Sequence, residues 1–531
     1  METTRHTSWY IAIVLVAAFV TFQIQGIDYG TGINDQPHIK DYVVGSDVSA
    51  GSALERNSMT GAGAGESVDR WMVRFKLYSI EADEHINIMA LSRIKPGQGQ
   101  FDPHFYQYGG AWLYPLGAWY LVLSKVGVIT LAPLNSYLRQ PELMDSVYIW
   151  GRVFVVLAVA GASLFLFAAC HRIASARESL LCMVLFLAAP GTVMFSQVMK
   201  PHWYALFFVC GALYVLTRLL SGQFWRERDN VALGVFLGLA VGSVLTFGLF
   251  AALCWLAMAV FVYRGIIHPR ALLLVPAIAL TVYLGTNPFV VLNISAVQSE
   301  SSLLVNWYTQ KAGISSILLF AKNSLLANFG AAATLLIACV ATYAIVSMPR
   351  SPMAWAAVTG IGVVVLIAVL TSSIATWHTN TRYLSFLLPS GLLFLCATQW
   401  RGQKILLSLA VALTLLQSAP LALAYRDEND PTHSTRHLAG RWIEENIPGD
   451  AALCFQTKTL APYEVPPIDF ARYRINDPAC KMEVRVEREP DAVIQNERRQ
   501  LVTRFQPRYS PHSFPLVFSH INPQISVYRY E

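Results

Sequence analysis

Charge is scarce in this chain. Asp, Glu, Lys and Arg make up 14% of its 531 residues, against about 25% in soluble domains. An ordinary soluble globular protein is thereby excluded. The basic excess is small as well, a net +6, and its lysines and arginines cluster in short segments between apolar runs. That distribution argues against a nucleic-acid partner and fits the positive-inside rule. The eight cysteines include no CxxC pair and no metal-ligand spacing, so no metal centre is read from them. No clear small-residue cleavage site follows the first apolar run, which continues through Gln25. The expectation is a retained first helix with a cytoplasmic N-terminus rather than a removed signal peptide. Long internal repeats are also missing, which weighs against an inverted-repeat transporter.

Apolar sequence is abundant: 54% of residues are hydrophobic and the mean hydropathy is +0.44. Runs long enough to span a bilayer recur from end to end. Spans are expected at roughly 8–25, 148–169, 178–197, 203–220, 231–248, 249–264, 271–288, 326–347, 354–374, 383–399 and 404–424. The run over roughly 231–264 is too long for one span, and a break near Phe247–Gly248 keeps the alternation. The basic connections "CHRIASARE", "SGQFWRERDN", "FVYRGIIHPR", "SMPRSP" and "WRGQK" fall at alternate loops and read as cytoplasmic. The fold class is therefore an all-α polytopic membrane protein with about eleven transmembrane helices. A transmembrane domain covers 1–424. Its first outer loop, 26–147, carries interfacial helices, and a second outer loop covers about 289–325. Residues 425–531 form a small α/β extracytoplasmic domain, in which "RWIEENIPGDAAL" reads as helix, turn and strand.

Three segments need separate treatment. "YGGAWLYPLGAWYLVLSKVGVITLAPL" is apolar enough to cross, but proline and glycine interrupt it and aromatics crowd its start. It reads as an interfacial or re-entrant segment, with a true span as the alternative. "GSDVSAGSALERNSMTGAGAGES" is Gly/Ser/Ala-rich and reads as a linker-like stretch. Of the cysteines, Cys170, Cys182, Cys210, Cys254, Cys339 and Cys396 fall in or beside apolar helices and read as small hydrophobes. Cys454 and Cys480 lie in the polar tail, where either a disulfide or two free thiols would fit.

Against this apolar background, "EADEHINI" stands out. Ile80, Ile86, Met89 and Ala90 fit one face of a short helix, with Asp83, Glu84 and Asn87 around a neighbouring face. Two readings are open. One is a solvated helix start, where acids suit the positive end of the dipole. The other is an acid pair at the membrane surface, facing a cavity.

The context of that pair resembles a family. A first helix, a long outer loop with Asp-Glu, and then "FDPHFYQYGGAWLYPLGAWYL" is similar to the lipid-linked-sugar glycosyltransferases of the GT-C superfamily, such as the protein O-mannosyltransferases and the lipid A aminoarabinose transferase (glycosyltransferase family 39-like). "VYIWGRVFVVLAVAGASLFLFAACHRIASARESLLCMVLFLAAPGTVMFSQ" resembles that family's second and third helices, and "TNPFVVLN" and "NTRYLSFLLPSGLLFL" resemble later segments. The resemblance covers roughly residues 75–400. It implies an inverting transfer of a sugar from a polyprenyl-phosphate carrier, dolichyl-phosphate-mannose-like in type, to a glycan, lipid or protein acceptor. It also implies that Asp83 is the catalytic acid-base residue, with Glu84 its neighbour and Arg152 near the site. Such a transfer needs a carboxylate to take or orient the acceptor proton and cations for the leaving phosphate. The chain departs from the family pattern after the third helix, where "QVMKPHWYALFF" carries Lys200 and His202 in place of an acid. That puts a two-carboxylate metal site in doubt, so no metal ligand and no required cofactor is assigned.

The remaining candidates each have two readings. Lys200 and His202 bind the donor phosphate, or sit as a snorkelling lysine and an interfacial histidine. Arg152 lies about one turn into an apolar helix, where a charge requires a partner or a cavity. Arg382, with His378 nearby, holds a phosphate or anchors a helix end. Asp102, His104 and Tyr108 line a pocket or anchor the approach to the interfacial segment. The rival function is a transporter or lipid-carrier flippase, which predicts charges in mid-helix. A non-catalytic scaffold is the third reading, and it makes no use of Asp83 and Glu84. Membrane lipids are partners in every case, and the expected location is a bacterial inner membrane with the C-terminus outside.

Overall fold

The computed structural model describes residues 2–31, 36–45, 67–81, 83–308, 314–347, 362, 378–398, 400, 402–455, 462, 465–487, 499–509 and 521–530. Among them, six helices are long and apolar enough to cross a membrane: His6–Ile24, Pro141–Ile173, Pro201–Leu220, Leu245–Tyr263, Thr381–Thr398 and Gln403–Asp427. A seventh span results if Leu318–Phe329 and Ala331–Ser347, bent by 110° at their junction, are taken together. Many of their apolar side chains face outward, such as Val14 at 66% and Leu416 at 72% exposed. Burial against protein does not satisfy such surfaces, and hydrocarbon does. The chain is a membrane-embedded, mostly helical protein.

The count falls short of the eleven read from sequence, for local reasons. The expected span at 178–197 is broken by Pro190 into Ala176–Ala188 and Pro190–Phe195, because proline lacks the N–H an unbroken helix needs. The helices at Glu227–Ser243 and Ala271–Thr286 have 17 and 16 residues, short of the ~20 that cross unaided. The expected helix at 354–374 lies, apart from residue 362, outside the described residues. The expected break near Phe247–Gly248 is present as a 3-10 turn at Leu245–Phe247. The debated segment at 108–134 forms a helix over Gly110–Lys125 with Pro115 inside it. At 16 residues it rises about 24 Å, less than a hydrocarbon core.

The helices are numbered here along the chain, leaving out those under six residues and two other minor helices: α1 Glu2–Ile24, α2 Val68–Leu77, α3 Glu84–Arg93, α4 Gly110–Lys125, α5 Pro141–Ile173, α6 Ala176–Ala188, α7 Pro190–Phe195, α8 Pro201–Leu220, α9 Glu227–Ser243, α10 Gly248–Tyr263, α11 Ala271–Thr286, α12 Ile294–Tyr308, α13 Ile314–Phe329, α14 Ala331–Ser347, α15 Leu387–Thr398, α16 Gln403–Asp427 and α17 Thr435–Asn446. The chain divides into two compact units. The first holds 1–23, 104–116 and 154–419; the second holds 24–103, 117–153 and 420–531.

In the first unit, α9 and α11 approach closely. Gly234, Gly238 and Gly242 recur every fourth residue on α9. A Cβ at each would stand 2.6–2.7 Å from atoms of Ile278, Ala279 or Thr286. Small residues at this spacing let two membrane helices pack backbone to backbone. Asn287, just past α11, ties the joint to α4: its Oδ1 accepts from the Gly110 N–H at 2.7 Å, and its Nδ2 donates to the Gly242 carbonyl at 3.2 Å. The 110° bend between α13 and α14 falls at Gly330, whose φ of +78° is open to glycine at little cost.

The second unit gathers the loop helices and the tail. Phe75 of α2 packs its ring 5.0 Å from Phe470 of the tail. The tail carries the expected α/β pattern: a five-stranded sheet, β1 Ala452–Phe455, β2 Arg474–Ile475, β3 Met482–Glu487, β4 Arg499–Phe505 and β5 Gln524–Tyr530, in the order β2-β1-β3-β5-β4. β1 is parallel to β2 and β3, and β5 runs antiparallel to β3 and β4. Cys454 on β1 and Cys480 before β3 are joined by a disulfide.

Candidate functional site

In the second unit, α3 starts inside "EADEHINI" as the sequence predicts, but every residue from Glu84 to Ala90 is buried. Ile86, Met89 and Ala90 are covered, and so are Glu84, His85 and Asn87. The solvated helix start is therefore corrected. Glu84 is fully buried at 0% exposure, and Arg152 of α5 explains how it can be. Arg152 Nε donates to Glu84 Oε1 at 3.0 Å and Nη2 to Oε2 at 2.7 Å. Its Nη1 donates to the carbonyls of Ile27 and Tyr29 at 2.9 and 2.8 Å. Ser79 Oγ donates to Glu84 Oε2 at 2.6 Å, and the Tyr29 ring lies 4.1 Å from the guanidinium carbon. A planar guanidinium suits this two-pronged pairing.

The sequence reading placed Arg152 among phosphate-binding residues and Glu84 among catalytic ones. Here each is neutralised by the other and hydrogen-bonded on several sides. Tyr29 backs the pair. Burial, with Glu81 adding to it, holds its hydroxyl pKa well above the usual tyrosine value, so it stays neutral.

Asp83 is different from its neighbour. It is half-buried and is the residue preceding α3, with φ +74° and ψ −4°. That left-handed conformation costs most side chains roughly 1–2 kcal/mol, with Asp and Asn the best tolerated. Its side chain makes no cap hydrogen bond to the helix, the usual reason for an Asp at such a position. Such strain persists only where the surroundings enforce it, and here the Glu84–Arg152 pair holds the next residue. His104 is also left-handed, at φ +46°, and exposed, whereas Asp102 is half-exposed.

The first unit gathers a second group. The chain breaks at Pro190 and again at Pro201, so Lys200 is the residue before α8 and His202 stands in its first turn. Lys200 is 5%, His202 1% and Arg382 4% exposed. The cations of Lys200 and Arg382 lie within electrostatic reach of His202. The His202 ring sits 5.3 Å from Tyr383 and 6.2 Å from Tyr108, and both of its ring nitrogens are buried without a hydrogen-bond partner among the described residues. Lys200 at the positive end of α8 makes a setting for an anion and a poor one for a divalent cation. His378 opens the 3-10 turn that carries Arg382, but its side chain lies outside the described residues. Sequence reasoning missed Ser79 and Tyr29 as supports of Glu84. Tyr29 carries no signal because its partner Arg152 is distant in the chain, whereas Ser79 stands only five residues before Glu84.

No family model matches the chain, and no curated protein matches it.

Proposed function

We propose that the chain is an integral membrane glycosyltransferase. It moves a sugar from a polyprenyl-phosphate carrier to a hydroxyl-bearing acceptor on the extracytoplasmic side, with inversion. The observation that carries this reading is Asp83, a half-exposed carboxylate kept in a left-handed conformation beside the buried Glu84–Arg152 pair. In the proposed step, Asp83 takes the proton of the acceptor hydroxyl. The acceptor oxygen forms a bond to the anomeric carbon as the bond from that carbon to the phosphate oxygen breaks. The electron pair leaves with the polyprenyl phosphate. Such a leaving group calls for cations beside it, and in the first unit Lys200 and Arg382 are two buried cations near His202.

The orientation belongs to the same proposal. With an odd number of spans and the basic loops inside, the N-terminus is cytoplasmic and the tail outside. The Cys454–Cys480 disulfide supports a tail in an oxidising compartment. The Lys200–His202–Arg382 group also favours one rival, a flippase that grips the carrier's phosphate without chemistry. Membranes holding the wild type and Asp83→Asn at equal level, supplied with radiolabelled polyprenyl-phosphate sugars, separate the two. Transfer by the wild type that the variant abolishes supports the enzyme. Transfer unaffected by the variant removes Asp83 from the chemistry. Carrier translocation without any transfer supports the flippase.

A further inference from the structure

Three cysteines far apart in sequence meet inside the first unit: Cys170 near the end of α5, Cys182 on α6 and Cys396 near the end of α15. All three are at 0% exposure. Their sulfurs lie within 4.8 Å of one another, and Cys182 and Cys396 are 3.3 Å apart at Sγ. No spacing rule finds them, since each comes from a different helix. Buried cysteines pack as small hydrophobes singly, and that role gives no reason for three thiols to converge on one point.

We propose that these thiols form a binding site for a soft monovalent cation, copper(I). Three considerations select it. Thiolate donors favour copper(I), zinc and iron–sulfur centres over hard cations. With metal–sulfur bonds of about 2.3 Å, three sulfurs around one ion stand about 4 Å apart, close to the separations here. Structural zinc sites are closed by four ligands, whereas this group among the described residues offers three. Cys210 lies beyond it, within electrostatic reach of Cys170. The ion would fasten α5, α6 and α15 at one level, beside the basic loop "CHRIASARE".

The test uses the full-length protein in detergent, purified with reductant that is then removed. Every sample carries Cys339→Ser, so that this exposed thiol takes no metal. Copper(I) is titrated in competition with bathocuproine disulfonate. The expected result is one copper per chain, with X-ray absorption showing a shell of three sulfurs. Cys182→Ser should weaken binding at least a hundredfold, and Cys254→Ser, outside the group, should leave it unchanged. The sulfur count in the otherwise wild-type protein stands even if Cys182→Ser folds poorly. Copper surrendered entirely to the competitor overturns the proposal. So does a shell containing nitrogen or oxygen, equal behaviour of the two variants, or zinc bound in preference to copper(I).

Discussion

Arg152 and Glu84, 68 residues apart in sequence, meet as a two-pronged ion pair with both side chains fully buried. Removing one partner leaves the other charge buried and alone, which costs about 3–5 kcal/mol. Arg152→Gln and Glu84→Gln should each lower the thermal midpoint in detergent substantially. The double variant Arg152→Met with Glu84→Leu should recover much of the loss, because it leaves no charge behind. If both single variants melt with the wild type, the pair is not what holds the start of α3.

Asp83 separates chemistry from stability. Asparagine tolerates the left-handed conformation, so Asp83→Asn should fold as the wild type does and lower transfer about 10²–10⁴-fold, the usual contribution of a general base. Asp83→Gly removes the strain and should raise stability by about 1 kcal/mol while abolishing transfer. A glycine variant that is both more stable and inactive would mark this residue as one kept for function. A glycine variant that stays active would place the base elsewhere.

The membrane class and the tail were legible because both rest on local signals: apolar length, basic loops, and the helix–turn–strand pattern after residue 440. The span count was less so. Apolar runs continue through breaks at Pro190 and Leu245–Phe247 without a change in hydropathy. In the site, "EADEHINI" drew attention by its acids in an apolar chain, and Arg152 by the cost of a charge in a helix. That the two are partners, and that Glu84 rather than Asp83 takes the arginine, depends on the left-handed turn at Asp83. The converging thiols of Cys170, Cys182 and Cys396 leave no trace in sequence, because their meeting is set by helix packing alone.

Lys200 and Arg382 are expected to act on the donor's phosphate. A charge-assisted hydrogen bond contributes about 1.5–3 kcal/mol, which is roughly 10- to 100-fold in affinity. Lys200→Ala and Arg382→Ala should raise the KM for the polyprenyl-phosphate donor by about that factor and leave the KM for the acceptor near wild type. Equal changes in both KM values would assign these residues to general packing.

The second unit should lose stability in mild acid. His38 and His437 both have pKa values below the ordinary 6.5, in each case chiefly because burial disfavours the charged ring. Glu444, 3.5 Å from His38 Nδ1, opposes this for His38 without reversing it. As pH falls through 6.5 the unfolded chain takes up these protons first, so stability falls with pH until the folded-state values are also passed. His437→Gln removes one of the two protons and should flatten the slope of thermal midpoint against pH between about 7 and 5. A slope identical to wild type would mean that His437 titrates normally and that the loss in acid arises from other groups.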